Sequence, residues 1–149
     1  MRNQILYTTC GLACLEGVLA DLGIPQSQEM MLVQNKKELL VGVSKPWEFG
    51  ALNRLNVQVL AQKIGFKVQF VKDHEKGSIT ARYSQPITER GVILGYTIGG
   101  FNHMAKFERR EGNVLVVSEP NFSRDTAEEK RYSLDEMISF DFEDWHIVR

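Results

Sequence analysis

Gln4-Ile5-Leu6-Tyr7-Thr8-Thr9-Cys10-Gly11-Leu12-Ala13-Cys14-Leu15-Glu16-Gly17-Val18-Leu19-Ala20-Asp21-Leu22-Gly23-Ile24-Pro25 reads as a short lead-in followed by one helix. Cys10, Ala13, Cys14, Gly17, Val18 and Leu22 recur at helical spacing and make one apolar stripe, with Glu16 and Asp21 off it. Thr8 or Thr9 stands where an N-cap belongs, and Gly23 with Pro25 forms a stop signal. The spacing therefore predicts a helix over 10–23 with a cysteine at its first residue. That placement matters chemically. The thiolate is the nucleophilic form of cysteine, and the positive end of a helix dipole favours it, as does a nearby imidazolium. Gly11 beside it lets another backbone approach closely, so it is a candidate substrate contact.

Outward from this helix, Ser27 is placed to cap a second one over 27–40, with Met30, Met31 and Val33 facing inward. A loop with Gly42, Pro46 and Gly50 follows, and its Trp47 and Phe49 are candidates to line a groove. Leu55, Val59, Leu60 and Ile64 predict a third helix over 54–64, with Gly65 just past its end. Lys67–Val71 alternates with period two, the mark of a strand. Residues 72–78 read as a polar turn holding His74, and the stretch around Pro86 has no clear pattern. Three short apolar runs, 92–96, 103–107 and 114–117, predict strands, the last two joined by a hairpin loop at 109–113. The charged stretches 108–111 and 124–131 read as solvated loops. Ser133 caps a short helix at 134–139, and Trp145–Val148 makes a last strand in which His146 has a structural role. Helices first and antiparallel strands second argue for an α+β fold.

The chain of 149 residues fits a single domain, 1–149, and a chain of that size buries roughly 70% of its unfolded surface. Its 18 basic and 19 acidic residues give a net charge of −1, without the basic excess of a nucleic-acid binder. The two cysteines, Cys10 and Cys14, lie one helical turn apart, a poor geometry for a disulfide, so a reducing, cytoplasmic setting is expected. No signal-peptide pattern and no apolar run long enough to span a membrane is present, although export without a cleaved signal stays open. Cys10, Cys14 and a histidine lack a fourth soft ligand, so neither a metal site nor a cofactor is expected.

If Cys10 is a nucleophile, it needs a base, an acceptor to orient that base, and donors for an oxyanion. His103, at the head of a predicted strand, is the base. Glu119 and Asn121, just past the partner strand, are the candidate orienters. The backbone N–H of Cys10 and the side-chain amide of Gln4 are candidate oxyanion donors. Asn102 precedes the base and is placed to touch substrate.

Gln4 followed by Cys10-Gly11-Leu12-Ala13-Cys14-Leu15 resembles the peptidase C39 group of the papain-like clan, the bacteriocin-processing peptidase domains and their stand-alone relatives. Gln62-Lys63-Ile64-Gly65-Phe66, His103, and Glu119-Pro120 after the next strand are similar to further family landmarks in the same order. The family has Asp where this chain has Glu119. The resemblance implies a papain-like fold and a bacterial thiol hydrolase that cleaves a peptide bond, such as that of a leader peptide. It implies Cys10 as nucleophile, His103 as base and acid, Glu119 as orienter and Gln4 as oxyanion donor. It also implies a peptide or protein substrate and a link to a secretion or transport system. The short run before Cys10 leaves no room for a propeptide, so substrate fit is expected to limit activity. Two other readings stay open: a glutamine deamidase or acyltransferase acting as an effector or toxin, and a non-catalytic peptide-binding module.

Overall fold

A computed structural model describes residues 1–6, 8–72, 90–121 and 126–149. The helices are α1 (Cys10–Asp21), α2 (Gln28–Gln34), α3 (Lys36–Leu39), α4 (Arg54–Lys63) and α5 (Leu134–Ser139). The strands are β1 (Lys67–Val71), β2 (Arg90–Ile98), β3 (Phe101–Glu111), β4 (Val114–Glu119), β5 (Glu128–Ser133) and β6 (Glu143–Val148). The strands form one antiparallel sheet in the order β1-β6-β2-β3-β4-β5. The expected α+β architecture is thus present, with the last strand threaded into the middle of the sheet.

Alternation along the strands divides the core into two layers. Ile93, Trp145, Ile147 and Val68 meet α1, Met31, Leu39 and α4 on one face. Val92, Leu94, Ala105, Leu115 and Val117 meet Leu134, Met137 and Phe142 around α5 on the other. The helix α1 lies against β2 and β3. It comes so close that a Cβ on Gly91 would stand 2.2 Å from Val18 Cγ1.

Three expectations change. The second predicted helix is two, because Asn35 interrupts it; Met30 and Val33 are exposed while Met31 is buried. Leu55 and Val59 likewise face solvent, and Val57, Leu60 and Ala61 carry the packing of α4. The stretches expected to be solvated loops are largely strand: 108–111 extends β3, and Glu128–Ser133 is the edge strand β5. Their charges pair across the sheet, Arg109 with Glu129 at 3.2 Å and Arg131 with Glu111. Charged residues suit an exposed sheet edge, where they discourage pairing with another chain. Ser27 and Ser133 cap their helices, accepting from Met30 N and Glu136 N. His74, Pro86 and residues 73–78 of the expected turn lie outside the described residues.

Candidate active site

The site begins with a mismatch between two strands. The ladder between β3 and β4 ends at Lys106 and Ser118, while β3 continues back to Phe101. Among the described residues, no β4 pairing extends beyond that point, and Gly11 in the first turn of α1 packs against Met104 there. Backbone hydrogen bonds from Met104, Gly11 and Cys10 itself are directed to the Cys10 sulfur. Thr9 holds the N-cap position of α1 but makes no side-chain cap bond. Its hydroxyl instead donates to Leu6 O at 3.1 Å. The N–H groups of the first turn, which have no partner inside the helix, therefore remain available to a sulfur or an oxyanion.

The cavity at this point holds about 330 Å³ and is lined by Gln4, Cys10, Phe101, Asn102, His103, Glu119, Pro120 and Asn121. Three segments far apart in sequence thus bring Gln4, Cys10, His103, Glu119 and Asn121 to one place. Register explains part of this. His103 stands opposite Tyr96 on β2. One step beyond the last β3–β4 pair puts Glu119 opposite Ala105, two residues from His103 and on its face of the sheet. That diagonal relation is within reach of long side chains.

The environment of each group is distinct. Burial pushes the Cys10 thiol up, and the three backbone hydrogen bonds oppose this without overcoming it. Burial thus works against the anion that the helix end favours. Cys14 is fully buried, and burial drives its thiol well above the ordinary range. The His103 ring stacks on Tyr96 with centroids 6.3 Å apart and planes 25° apart. Glu119 Oε2 accepts from the Tyr96 hydroxyl at 2.5 Å and from Tyr132 at 2.8 Å. Gln4 Nε2 donates to Leu6 O at 2.9 Å, which fixes its carboxamide.

A buried clamp underlies the cavity. The Asn3 side chain accepts from Asn121 N at 2.6 Å and from Gln4 N at 2.9 Å, and its Nδ2 donates to Asn121 O. Gln28, fully buried on α2, donates to Asn3 O at 2.8 Å and accepts from Ile5 N at 3.1 Å. One polar side chain thus ties the segment carrying Gln4 to the segment carrying Asn121. Sequence reasoning missed Asn3, Gln28, Tyr96 and Tyr132, since no motif distinguishes them before the fold places them.

Two expected substrate contacts lie elsewhere. Gly11 is buried, and a Cβ there would stand 2.8 Å from Met104 Sδ and 2.9 Å from Leu52 Cβ. The packing of α1 against Met104 and Leu52 leaves little room for a Cβ there, and Gly11 does not line the cavity. Trp47 is 71% exposed, outside the cavity lining, with Lys45 Nζ 5.3 Å from its ring centroid. Asn102 does line the cavity and accepts from the Thr97 hydroxyl at 2.9 Å. His146 is buried in β6 with Nε2 3.3 Å from Asp144 Oδ2, away from this cavity. Among the described residues, no group of three or more His, Cys, Asp or Glu is gathered to hold a metal ion.

The arrangement can be compared with known proteins. The peptidase domain of Streptococcus ComA, described as a bifunctional ABC transporter in a quorum-sensing pathway, superposes with a TM-score of 0.66 and 18% identity. The match covers 99% of this chain and 96% of that one. The ComA peptidase domain of Streptococcus mutans gives a TM-score of 0.55 at 16% identity, covering 97% and 95%. The fold is that of the C39-like peptidase domains. This papain-like fold places helices on an antiparallel sheet, with Cys10 at the start of the first helix. No family model matches the chain, and no curated protein matches it. Among the described residues, no helix is long and apolar enough to cross a membrane.

Proposed function

We propose that this C39-like domain is a cysteine peptidase that cleaves a peptide bond through Cys10, His103 and Glu119. The observation that carries the reading is the cavity in which Gln4, Cys10, His103, Glu119 and Asn121 meet. His103 accepts the proton of the Cys10 thiol as sulfur attacks the carbonyl carbon. The resulting oxyanion is held by the Cys10 N–H and the Gln4 carboxamide. Collapse of the tetrahedral species breaks the C–N bond, and His103 returns its proton to the leaving amine. Water, deprotonated by His103, then hydrolyses the thioester and restores the thiol. Burial of the sulfur suits this order, because the thiol keeps its proton until the imidazole is placed to take it.

Glu119 is the preferred orienter over Asn121. Its side chain shares a sheet face with His103, while the Asn121 backbone is clamped by Asn3. The proposed substrate is a peptide leader presented to a secretion or transport system in the cytoplasm of a bacterium, a reading supported by the likeness to the peptidase domain of the ABC transporter ComA. The test is cleavage of candidate leader peptides by the wild type and by Cys10→Ala, read by mass spectrometry. Fragments from the wild type alone support the reading, and equal processing by both overturns it. A gain of about one mass unit without fragments would instead assign a glutamine deamidase.

A further inference from the structure

Glu119 is unusual in having two hydroxyl donors on one oxygen. Tyr96 reaches Oε2 from β2 at 2.5 Å, and Tyr132 reaches the same atom from β5 at 2.8 Å. The tyrosines are themselves locked. Their rings meet edge to face at 5.8 Å, and both pack on Phe140, at 6.1 Å from Tyr96 and 5.5 Å from Tyr132. Tyr96 also stacks on His103. One aromatic cluster therefore touches the imidazole through a ring face and the carboxylate through hydroxyl groups.

A glutamate has one more rotatable bond than an aspartate, so its carboxylate samples more positions unless something fixes it. Two donors converging on Oε2 fix both the torsion and the identity of the outward oxygen. With Oε2 engaged by both tyrosines, a bond to the His103 imidazole falls to Oε1 in the arrangement inferred here. We infer that Tyr96 and Tyr132 are positioning residues that hold Glu119 as the partner of the His103 imidazole. The inference rests on the peptidase reading and adds to it the device that lets glutamate serve.

Among the described residues, the charged and titratable groups around Glu119 are Tyr96 on β2, His103 on β3, Tyr132 and the facing Glu128 on β5, and Cys10 and Cys14 on α1. Burial, then the bond to Glu119, pushes both phenols up, so they remain donors throughout the neutral range. A profile taken between pH 5 and 9 then reports on the Cys10–His103 pair. A carboxylate held against an imidazole stabilises its protonated form.

The test needs no substrate. The rate of Cys10 alkylation by iodoacetamide is measured across pH 5–9 in the wild type, in the double variant Tyr96→Phe/Tyr132→Phe and in His103→Ala. The same tyrosine changes are also made in a Glu119→Ala background. The expected result is a His103-dependent inflection that moves to lower pH in the tyrosine variant, with a loss of about 5- to 10-fold in rate at pH 7. In the Glu119→Ala background the tyrosine changes should have no further effect, because interacting sites are not additive. Equal loss in both backgrounds would mark a merely structural role and overturn the inference. A wild-type profile kept by the tyrosine variant would overturn it too. If the wild type itself shows no His103-dependent inflection, the peptidase reading falls with it, so the two failures are distinguishable. Thermal melts accompany the kinetics, and a double tyrosine variant that melts with the wild type excludes a folding defect as the cause of the shift.

Discussion

Replacing Gly11 by alanine tests the link between packing and the nucleophile. The new Cβ would stand 2.8 Å from Met104 Sδ, 2.9 Å from Leu52 Cβ and 3.0 Å from Leu52 Cγ. Carbon atoms pack best at about 3.5–4.0 Å, so Leu52 would have to retreat by roughly 0.6 Å or α1 would have to lift. Met104 Sδ is the far end of a flexible chain and gives easily, whereas Leu52 Cβ moves only with its backbone. Overpacking of this kind costs about 1–3 kcal/mol. Alanine regains at most about 1 kcal/mol of helix propensity over glycine, and less in a first turn. The expected net loss is about 1–2 kcal/mol, or roughly 2–8 °C in melting temperature for a chain of this length. Gly17→Ala is the control in the same helix. The atoms nearest its Cβ would be Met1 Cγ at 3.0 Å, Lys106 Cδ at 3.1 Å and Met1 Sδ at 3.1 Å, all parts of flexible side chains. Gly17→Ala should therefore be neutral or stabilising. Because Met104 N–H is bonded toward the Cys10 sulfur, Gly11→Ala should also change the rate of Cys10 alkylation, and Gly17→Ala should not. Calorimetry and iodoacetamide kinetics on both variants decide the matter. Equal shifts for the two, or a Gly11→Ala variant as stable as the wild type, would refute the steric argument.

Other expectations concern single groups. Iodoacetamide on the folded protein should label Cys10 and spare Cys14, which is fully buried; peptide mapping that finds Cys14 modified at a comparable rate would contradict the packing. Asn3→Ala should lower stability by about 1–3 kcal/mol, since the clamp on Asn121 N and Gln4 N is lost from a buried position, and thermal melts measure it. Arg2 hydrogen-bonds Glu29 and lowers its carboxyl from 4.5 to about 2. A depressed acid stabilises above its unfolded value and loses that contribution as pH falls from 4.5 toward 2. The pair is exposed, so Glu29→Gln should flatten the acid decline by well under about 1 kcal/mol in pH-dependent melts.

How much of this was visible in the sequence depended on whether a signal was local. The start of α1 was legible because Cys10 opens an apolar stripe closed by Gly23 and Pro25. The serine caps at 27 and 133 were legible because a cap bond spans three residues. β5 was not legible. Glu128-Glu129-Lys130-Arg131 has the composition of a loop, and it becomes a strand only because β4 offers an edge and β3 offers opposite charges. The break at Asn35 and the exposure of Leu55 and Val59 have a similar cause, since helical spacing does not say which neighbour a face meets. For the site, the ordered Gln4, Cys10, His103 and Glu119 could be anticipated to share a cavity. Tyr96, Tyr132 and Asn3 could not, because their partners are 23, 13 and 118 residues away.

The charge balance of the cavity ties these residues into one chemical unit. Among the described residues that line it, His103 is the single basic group and Glu119 the single acid. Forming a thiolate at Cys10 by releasing its proton to water would leave an added negative charge in a partly buried place. Burial already raises the thiol, so that route is disfavoured. In the proposed mechanism, moving the proton from sulfur to His103 changes no net charge within the cavity that also holds Glu119. The backbone hydrogen bonds from Met104, Gly11 and Cys10 then receive the sulfur's charge without any side chain having to move. Such fixed donors are most effective where water is scarce, since they need no reorganisation as charge develops. In the proposed mechanism, the enclosure that opposes ionisation of Cys10 on its own ties its reactivity to His103, and ties His103 to where Glu119 is held.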